Sequence, residues 1–270
     1  MGRLAELARP FLVVVVTDAT VEAAAATMAD ATQAGADAFE LNLPALHREP
    51  DEAVRYLLEQ TRPVVYTSCR RAGFMRVYGI DDAPPWNDEE RMERQLAICA
   101  HGSAALDIEL DAFDEPCARG VSTAQSAVDR QRDVAGRARA AGADVIYSCH
   151  STLALNASAI VDTVELAAER GGTLAKIVTQ ADDELAAVEV LRGAVEASRR
   201  APLPATVVAS GAAGRFTRVV GPAIAGGWML CRPDSGEHVF GEQPMLRNAR
   251  RVRDELSELL APPTTERAAV

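Results

Sequence analysis

The sequence almost does without lysine: of its 28 basic residues 27 are arginine, and the exception is Lys176. Positive charge as a whole is outnumbered, with 28 basic against 39 acidic residues. The net charge of −11 excludes an electrostatic grip on nucleic acid or on an anionic membrane surface and leaves a small molecule as the expected partner. Long apolar runs are missing as well. The best of them, "PFLVVVVT" at 10–17, is too short to span a bilayer and is followed by no small-residue cleavage site, so it reads as a first strand. The five cysteines (Cys69, Cys99, Cys117, Cys149 and Cys231) are odd in number and form no CxxC pair. Neither a disulfide framework nor a zinc site follows, and a reducing cytoplasm suits them. His47, His101 and His238 stand at unrelated positions without metal-ligand spacing. No metal site is expected.

What the chain does have is a regular rhythm. Short β-branched runs alternate with Ala-rich amphipathic segments, the pattern of βα units around a parallel sheet. The runs are 11–16, 38–43, 63–68, 105–110, 144–149, 174–179, 206–210 and 228–231, and helices are predicted over segments such as 20–34, 122–141, 156–170 and 181–200. Ser122 or Thr123 offers a helix N-cap, and Gly142 and Gly171 fall where helix C-caps belong. Eight such units in 270 residues predict a single (β/α)8 TIM barrel over 1–260, with 261–270 as a frayed tail. The alternative, an open doubly wound sheet, is disfavoured because no GxGxxG follows the first strand. Segments 81–90 and 232–243 read as mobile loops.

In such a barrel, reactive groups lie at the carboxyl ends of the strands, and side chains alternate between barrel interior and helix layer. Counting by two from Lys176 turns Leu174 and Val178 inward, and on other strands Glu40, Asn42, Tyr66, Ser68, Arg70, Asp107, Glu109, Ser148, His150, Val208 and Ser210. Strands lie about 4.8 Å apart, which brings His150 near Lys176. A lysine among apolar neighbours and arginines loses preference for its ammonium form, and a neutral amine attacks ketones. Arginine cannot serve there. The plainer reading makes Lys176 a basic residue reaching out from a strand end, and His150 a loop or core histidine. Trp86 and Trp228 read as packing residues. A Cys149–His150 dyad is disfavoured because adjacent strand residues point oppositely. "SGAAGRFTR" at 210–218 has the glycines and helix start to hold an anion, with Arg215 or Arg218 adding charge.

Taken in order, "ELNL", "YTSCR", "YSCHS", "LAKIV", "SGAAGRFTR" and "FGEQ" resemble the strand-end signatures of the type I 3-dehydroquinate dehydratases, over roughly 10–258. The resemblance implies a (β/α)8 barrel, often a homodimer, that removes water from 3-dehydroquinate without a cofactor through an imine on a lysine. It implies Lys176 as the imine nucleophile and His150 as general acid and base. It further implies Glu40 as holder of ring hydroxyls, Arg70 as an arginine lining the site, Arg218 as the carboxylate-gripping arginine and Gln243 as the closing-loop glutamine.

Departures accompany the match. Asn42 stands where the family has a hydroxyl-binding arginine, "RRAGFMRVYG" lacks the family's glutamate beside the histidine, Ser151 and Thr152 replace an Asp-Phe pair, and "VFGEQ" keeps only the last residue of the closing-loop motif. Glu109, inward on the fourth strand, is a candidate for the missing acid, or for a structural pair with an arginine. Three readings stay open: the dehydratase itself, a relative using the same lysine for a lyase, aldolase or cyclisation reaction on another cyclic keto acid, and a catalytically silent metabolite-binding barrel.

Overall fold

In a computed structural model describing residues 3–61, 64–236 and 238–260, eight parallel strands alternate with helices around a nearly closed barrel. The order along the chain is β1 (Phe11–Val16), α1 (Val21–Ala34), β2 (Ala38–Asn42), α2 (Asp51–Gln60), β3 (Val64–Ser68), α3 (Ala72–Val77), α4 (Asp88–Cys99), β4 (Ala105–Glu109), α5 (Gln125–Ala140), β5 (Asp144–His150), α6 (Ala157–Glu169), β6 (Leu174–Gln180), α7 (Glu184–Arg200), β7 (Ala205–Ser210), α8 (Thr217–Ala225), β8 (Trp228–Cys231) and α9 (Leu246–Leu260). The expected TIM barrel and all eight strand positions are found. The segment 261–270, read as a frayed tail, lies outside the described residues.

The two faces of each strand explain why these runs are strands. On β1, Phe11, Val13 and Val15 fill the barrel, while Leu12, Val14 and Val16 pack under the helices. At the amino end of the barrel Leu4 is buried as a plug, its segment tied by Arg3 Nη2 to Asp144 Oδ1 at 2.9 Å. Trp228 stacks on Phe11 with centroids 5.8 Å apart. Side-chain caps start α1 at Thr20, α6 at Asn156 and α7 at Asp183, each accepting from the backbone N–H three residues on.

Two local expectations are corrected. The segment 81–90 is not all loop, because Asn87 and Glu90 form a reciprocal capping box that opens α4. Helix α5 starts at Gln125 with no side-chain cap; the Ser122 hydroxyl accepts from Ala124 N–H in the turn before it. Gly142 and Gly171 do follow helix ends with positive φ, at 83° and 92°.

The ladder is thin in two places. Between β3 and β4 a single residue pair, Thr67 with Leu106, is in register. The buried Gln95 amide of α4 stands in for strand partners there, donating to the Asp107 carbonyl at 3.0 Å and accepting from Asp107 N–H at 3.2 Å. Between β7 and β8 no ladder forms among the described residues. The Thr206 hydroxyl joins them instead, donating to the Trp228 carbonyl at 2.5 Å and accepting from Trp228 N–H at 2.9 Å.

Candidate functional site

The side chains that β2, β3, β5 and β6 send inward meet at the carboxyl end of the barrel. There Glu40, Asn42, Arg70, His150, Lys176 and Val178 line a pocket together with Arg218 of α8 and Gln243 of the following loop. Seven of the eight site residues expected from the sequence thus share one pocket; Glu109 is the exception. The sequence reading missed Phe74, Tyr78, Leu230, Phe240 and Glu242, which complete the lining.

Register explains the convergence. Ser148 pairs with Lys176 and His150 with Val178 across β5 and β6, while Glu40 pairs with Tyr66 across β2 and β3. Their side chains therefore rise on the same inward face. Lys176 is buried, but its surroundings differ from the apolar, arginine-flanked environment expected. Its Nζ lies 3.2 Å from Glu40 Oε2 and 3.5 Å from Asp107 Oδ2. The reason is that the inward period of two turns carboxylates of β2 and β4 into the barrel, where strand registry brings them within reach of the lysine. Tyr66 donates its hydroxyl to Glu40 at 2.7 Å. Burial alone would raise the Glu40 carboxyl, but Lys176, Arg70 and the Tyr66 hydroxyl outweigh it and hold it at about 2.

Arg70 lies across the bottom of the pocket. It donates to Asp107 at 2.5 Å and to Ser148 at 2.8 Å, and the Ser148 hydroxyl in turn donates to Asp107 at 2.5 Å. Glu109 does not reach His150. Arg91 of α4 takes it up at 2.5 Å, with Arg70 at 3.5 Å, so it is the structural member of the Asp107–Glu109 pair. Arg91 itself is buried and also meets Asp88 at 2.5 Å. No sequence period singles it out, since its role depends on a residue 18 positions away.

His150 has an aromatic neighbour where an acid was sought. Phe74 meets its ring edge-on at 5.3 Å, Tyr78 packs on Phe74 at 5.0 Å, and Phe240 on Tyr78 at 4.7 Å. The imidazole Nδ1 is buried without a partner. Burial first, then Arg70, Lys176 and Arg218, holds the ring's basicity well below that of a free histidine. Gly120 (φ +70°) secures the strand end: a Cβ there would lie 2.8 Å from the His150 carbonyl oxygen. Ser151 and Thr152 bind the same loop through the Ala118 carbonyl, at 3.1 Å from Ser151 Oγ and 2.8 Å from Thr152 N. Cys149 points the other way into the helix layer, as expected.

Asn42 lines the pocket but is occupied. Its Oδ1 accepts from Ala45 N–H at 3.2 Å, and its Nδ2 lies 3.7 Å from Met75 Sδ. At the opposite side Arg218 is buried and Arg215 exposed. Arg218 Nη2 donates to Ser210 Oγ and to Glu242 Oε2, both at 2.9 Å. Gly211 N–H, in the turn read as an anion site, points to Glu242 Oε1 at 3.4 Å. The Gln243 side-chain oxygen is buried and unpaired.

These features define a (β/α)8 barrel protein with a lysine-centred polar pocket at the mouth formed by its strand ends. The profile of the type I 3-dehydroquinase family matches residues 12–235, and the chain belongs to that family. No curated protein matches the sequence significantly. The fold is similar to the type I 3-dehydroquinate dehydratase of Clostridium difficile with covalently modified comenic acid, at TM-score 0.76 and 16% identity over 94% of each chain. It is likewise similar to the 3-dehydroquinate dehydratase of Geobacillus kaustophilus HTA426, at 0.76 and 16% over 93% of each chain. That of Enterococcus faecalis aligns at 0.70 and 17%, over 94% of this chain and 96% of the other.

Proposed function

We propose that the protein is an imine-forming hydro-lyase of the 3-dehydroquinate dehydratase kind, acting on a cyclic keto acid. The observation that carries this reading is the presence of Lys176, His150 and Arg218 in one pocket. In the proposed sequence the Lys176 amine adds to the ring ketone, whose oxygen leaves as water with one proton from the amine and one from solvent that imine hydrolysis later returns, giving an iminium. His150 removes a proton from the adjacent carbon, and the hydroxyl on the next carbon departs as water with that proton. A second water then hydrolyses the imine, restoring lysine and ketone, so the net change is loss of one water. Arg218 meets the ring carboxylate.

Attack requires an unprotonated amine, and Lys176 is enclosed by Glu40 and Asp107. Glu40, held at about 2, and His150, with its depressed basicity, are both poor proton acceptors there. The reading therefore requires the bound ring to disturb the Glu40–Lys176 contact. The occupied Asn42 and the Phe74 edge on His150 favour a substrate with fewer ring hydroxyls than 3-dehydroquinate. The closed ion pair favours a second reading, a barrel that binds a metabolite while Lys176 stays paired with Glu40 and Asp107.

Borohydride reduction in the presence of 3-dehydroquinate and related cyclic keto acids decides between them by mass spectrometry. The imine reading expects an irreversible adduct on Lys176 and no turnover by Lys176→Met. Lack of any adduct, with turnover retained in Lys176→Met, overturns it; tight binding with neither adduct nor turnover establishes the second reading.

A further inference from the structure

The subsite at Arg218 already holds a carboxylate, and it belongs to the protein. Arg218 has 8% of its side chain exposed and offers its Nη2 to Glu242 at 2.9 Å. Ser210 Oγ shares that Nη2, and Gly211 N–H approaches the other Glu242 oxygen at 3.4 Å. Guanidinium, hydroxyl and backbone N–H form the set of donors that a ligand carboxylate needs. Glu242 is partly exposed, lies in the loop between β8 and α9, and precedes the pocket-lining Gln243.

Charge at the pocket points the same way. Lys176 and Arg70 face Glu40 and Asp107, two against two, and Arg218 faces Glu242. Among the described residues the cations and carboxylates at the pocket therefore pair off, and no cation is left over for an incoming acid. A carboxylate enters by displacing Glu242. A ring ketone with an uncharged group at that position enters without doing so.

We propose that Glu242 is a specificity-determining residue, a tethered carboxylate that competes with ligand acids for Arg218 and sets the site's preference between anionic and neutral ring ketones. Because it is attached to the same chain, its effective concentration at Arg218 is in the millimolar range or above. Acids therefore bind more weakly than the bare donors would allow, by about tenfold to 100-fold, the strength of one charge-assisted contact. Neutral rings are unaffected. Binding of an acid also detaches the loop from Arg218. The inference rests on the reading that this pocket takes cyclic ketones, but not on imine formation.

The test is a calorimetric comparison of 3-oxocyclohex-1-ene-1-carboxylate with its primary amide, two rings that differ in charge and share ketone and size. Glu242→Gln is expected to tighten the acid by about tenfold or more and to leave the amide within about threefold. In an Arg218→Gln background the same substitution is expected to bring no gain for the acid, since the contested partner is gone. An unchanged or weakened acid in Glu242→Gln overturns the proposal. So do equal gains for both rings, a gain that persists without Arg218, or binding of neither ring. Borohydride adducts are scored separately on the same samples: their absence counts against the imine chemistry alone, while the charge comparison still decides the role of Glu242.

Discussion

Replacing Glu40 with glutamine measures how tightly the centre of the barrel is held by charge. The carboxyl is buried, meets Lys176 at 3.2 Å and accepts the Tyr66 hydroxyl at 2.7 Å. Its ordinary value of 4.5 falls to about 2 in the folded chain, because Lys176, Arg70 and Tyr66 outweigh the opposing effect of burial. A carboxyl depressed by folding contributes its full stability above the unfolded value and loses it as pH falls through the folded one. At about 1.4 kcal/mol per pH unit, Glu40 contributes about 3 kcal/mol at pH 7. About half of that is gone by pH 3. Glutamine keeps the shape and an acceptor for Tyr66, and Lys176 keeps Asp107 at 3.5 Å. Urea unfolding followed by far-UV circular dichroism gives the comparison. Glu40→Gln is expected to be less stable than the parent by about 3 kcal/mol at pH 7, and the gap is expected to hold down to about pH 5 and then narrow toward pH 3. A gap below about 1 kcal/mol, the size of an ordinary hydrogen bond, or one that does not change with pH, refutes the reasoning.

Three further outcomes follow from the same geometry. His150 is neutral when folded and its basicity lies well below the usual 6.5, so the unfolded chain alone gains a proton below pH 6.5 and the parent loses stability there; His150→Gln is expected to gain on it by up to about 1.4 kcal/mol per pH unit below that point, read as melting temperatures at pH 7.5 and 5.5. Arg91→Met leaves Glu109 buried with only Arg70 at 3.5 Å; a loss of about 3 to 5 kcal/mol is expected, lowering the urea midpoint by about 1 M or more. Made in the Glu242→Gln background, Arg218→Gln is expected to weaken a ring acid by about tenfold to 100-fold and to spare its amide, measured as dissociation constants.

Much of the barrel could be read from the chain because strand and helix periods are local. The run at 11–16 alternates between two apolar layers, and "LAKIVT" shows its inward lysine by the same count. Inward period two also gathers Glu40, Asn42, Arg70, His150 and Lys176 at one end. What the sequence withheld was pairing at a distance. Period two places Asp107 and Glu109 on one face but cannot say that Arg91, arriving from a helix, takes the second of them. It cannot say that two carboxylates enclose Lys176, because these come from strands whose spacing around the barrel depends on registry. Phe74, Tyr78, Phe240 and Glu242 lie in a short helix and in loops, where no period applies. One signal was available and unused: Asn87 followed three positions later by Glu90 spells a capping box at the start of α4.

The single hydroxyl that links Thr206 to Trp228 makes the cylinder a hoop with one clasp. Elsewhere each joint shares its load across backbone pairs, or across Gln95 where those are few, but between the seventh and eighth strands one side chain both gives and receives. Spontaneous opening therefore starts at that joint. Residues 205–210 and 228–231 will take up deuterium ahead of the other inner strands, and a valine in place of Thr206 will hasten it.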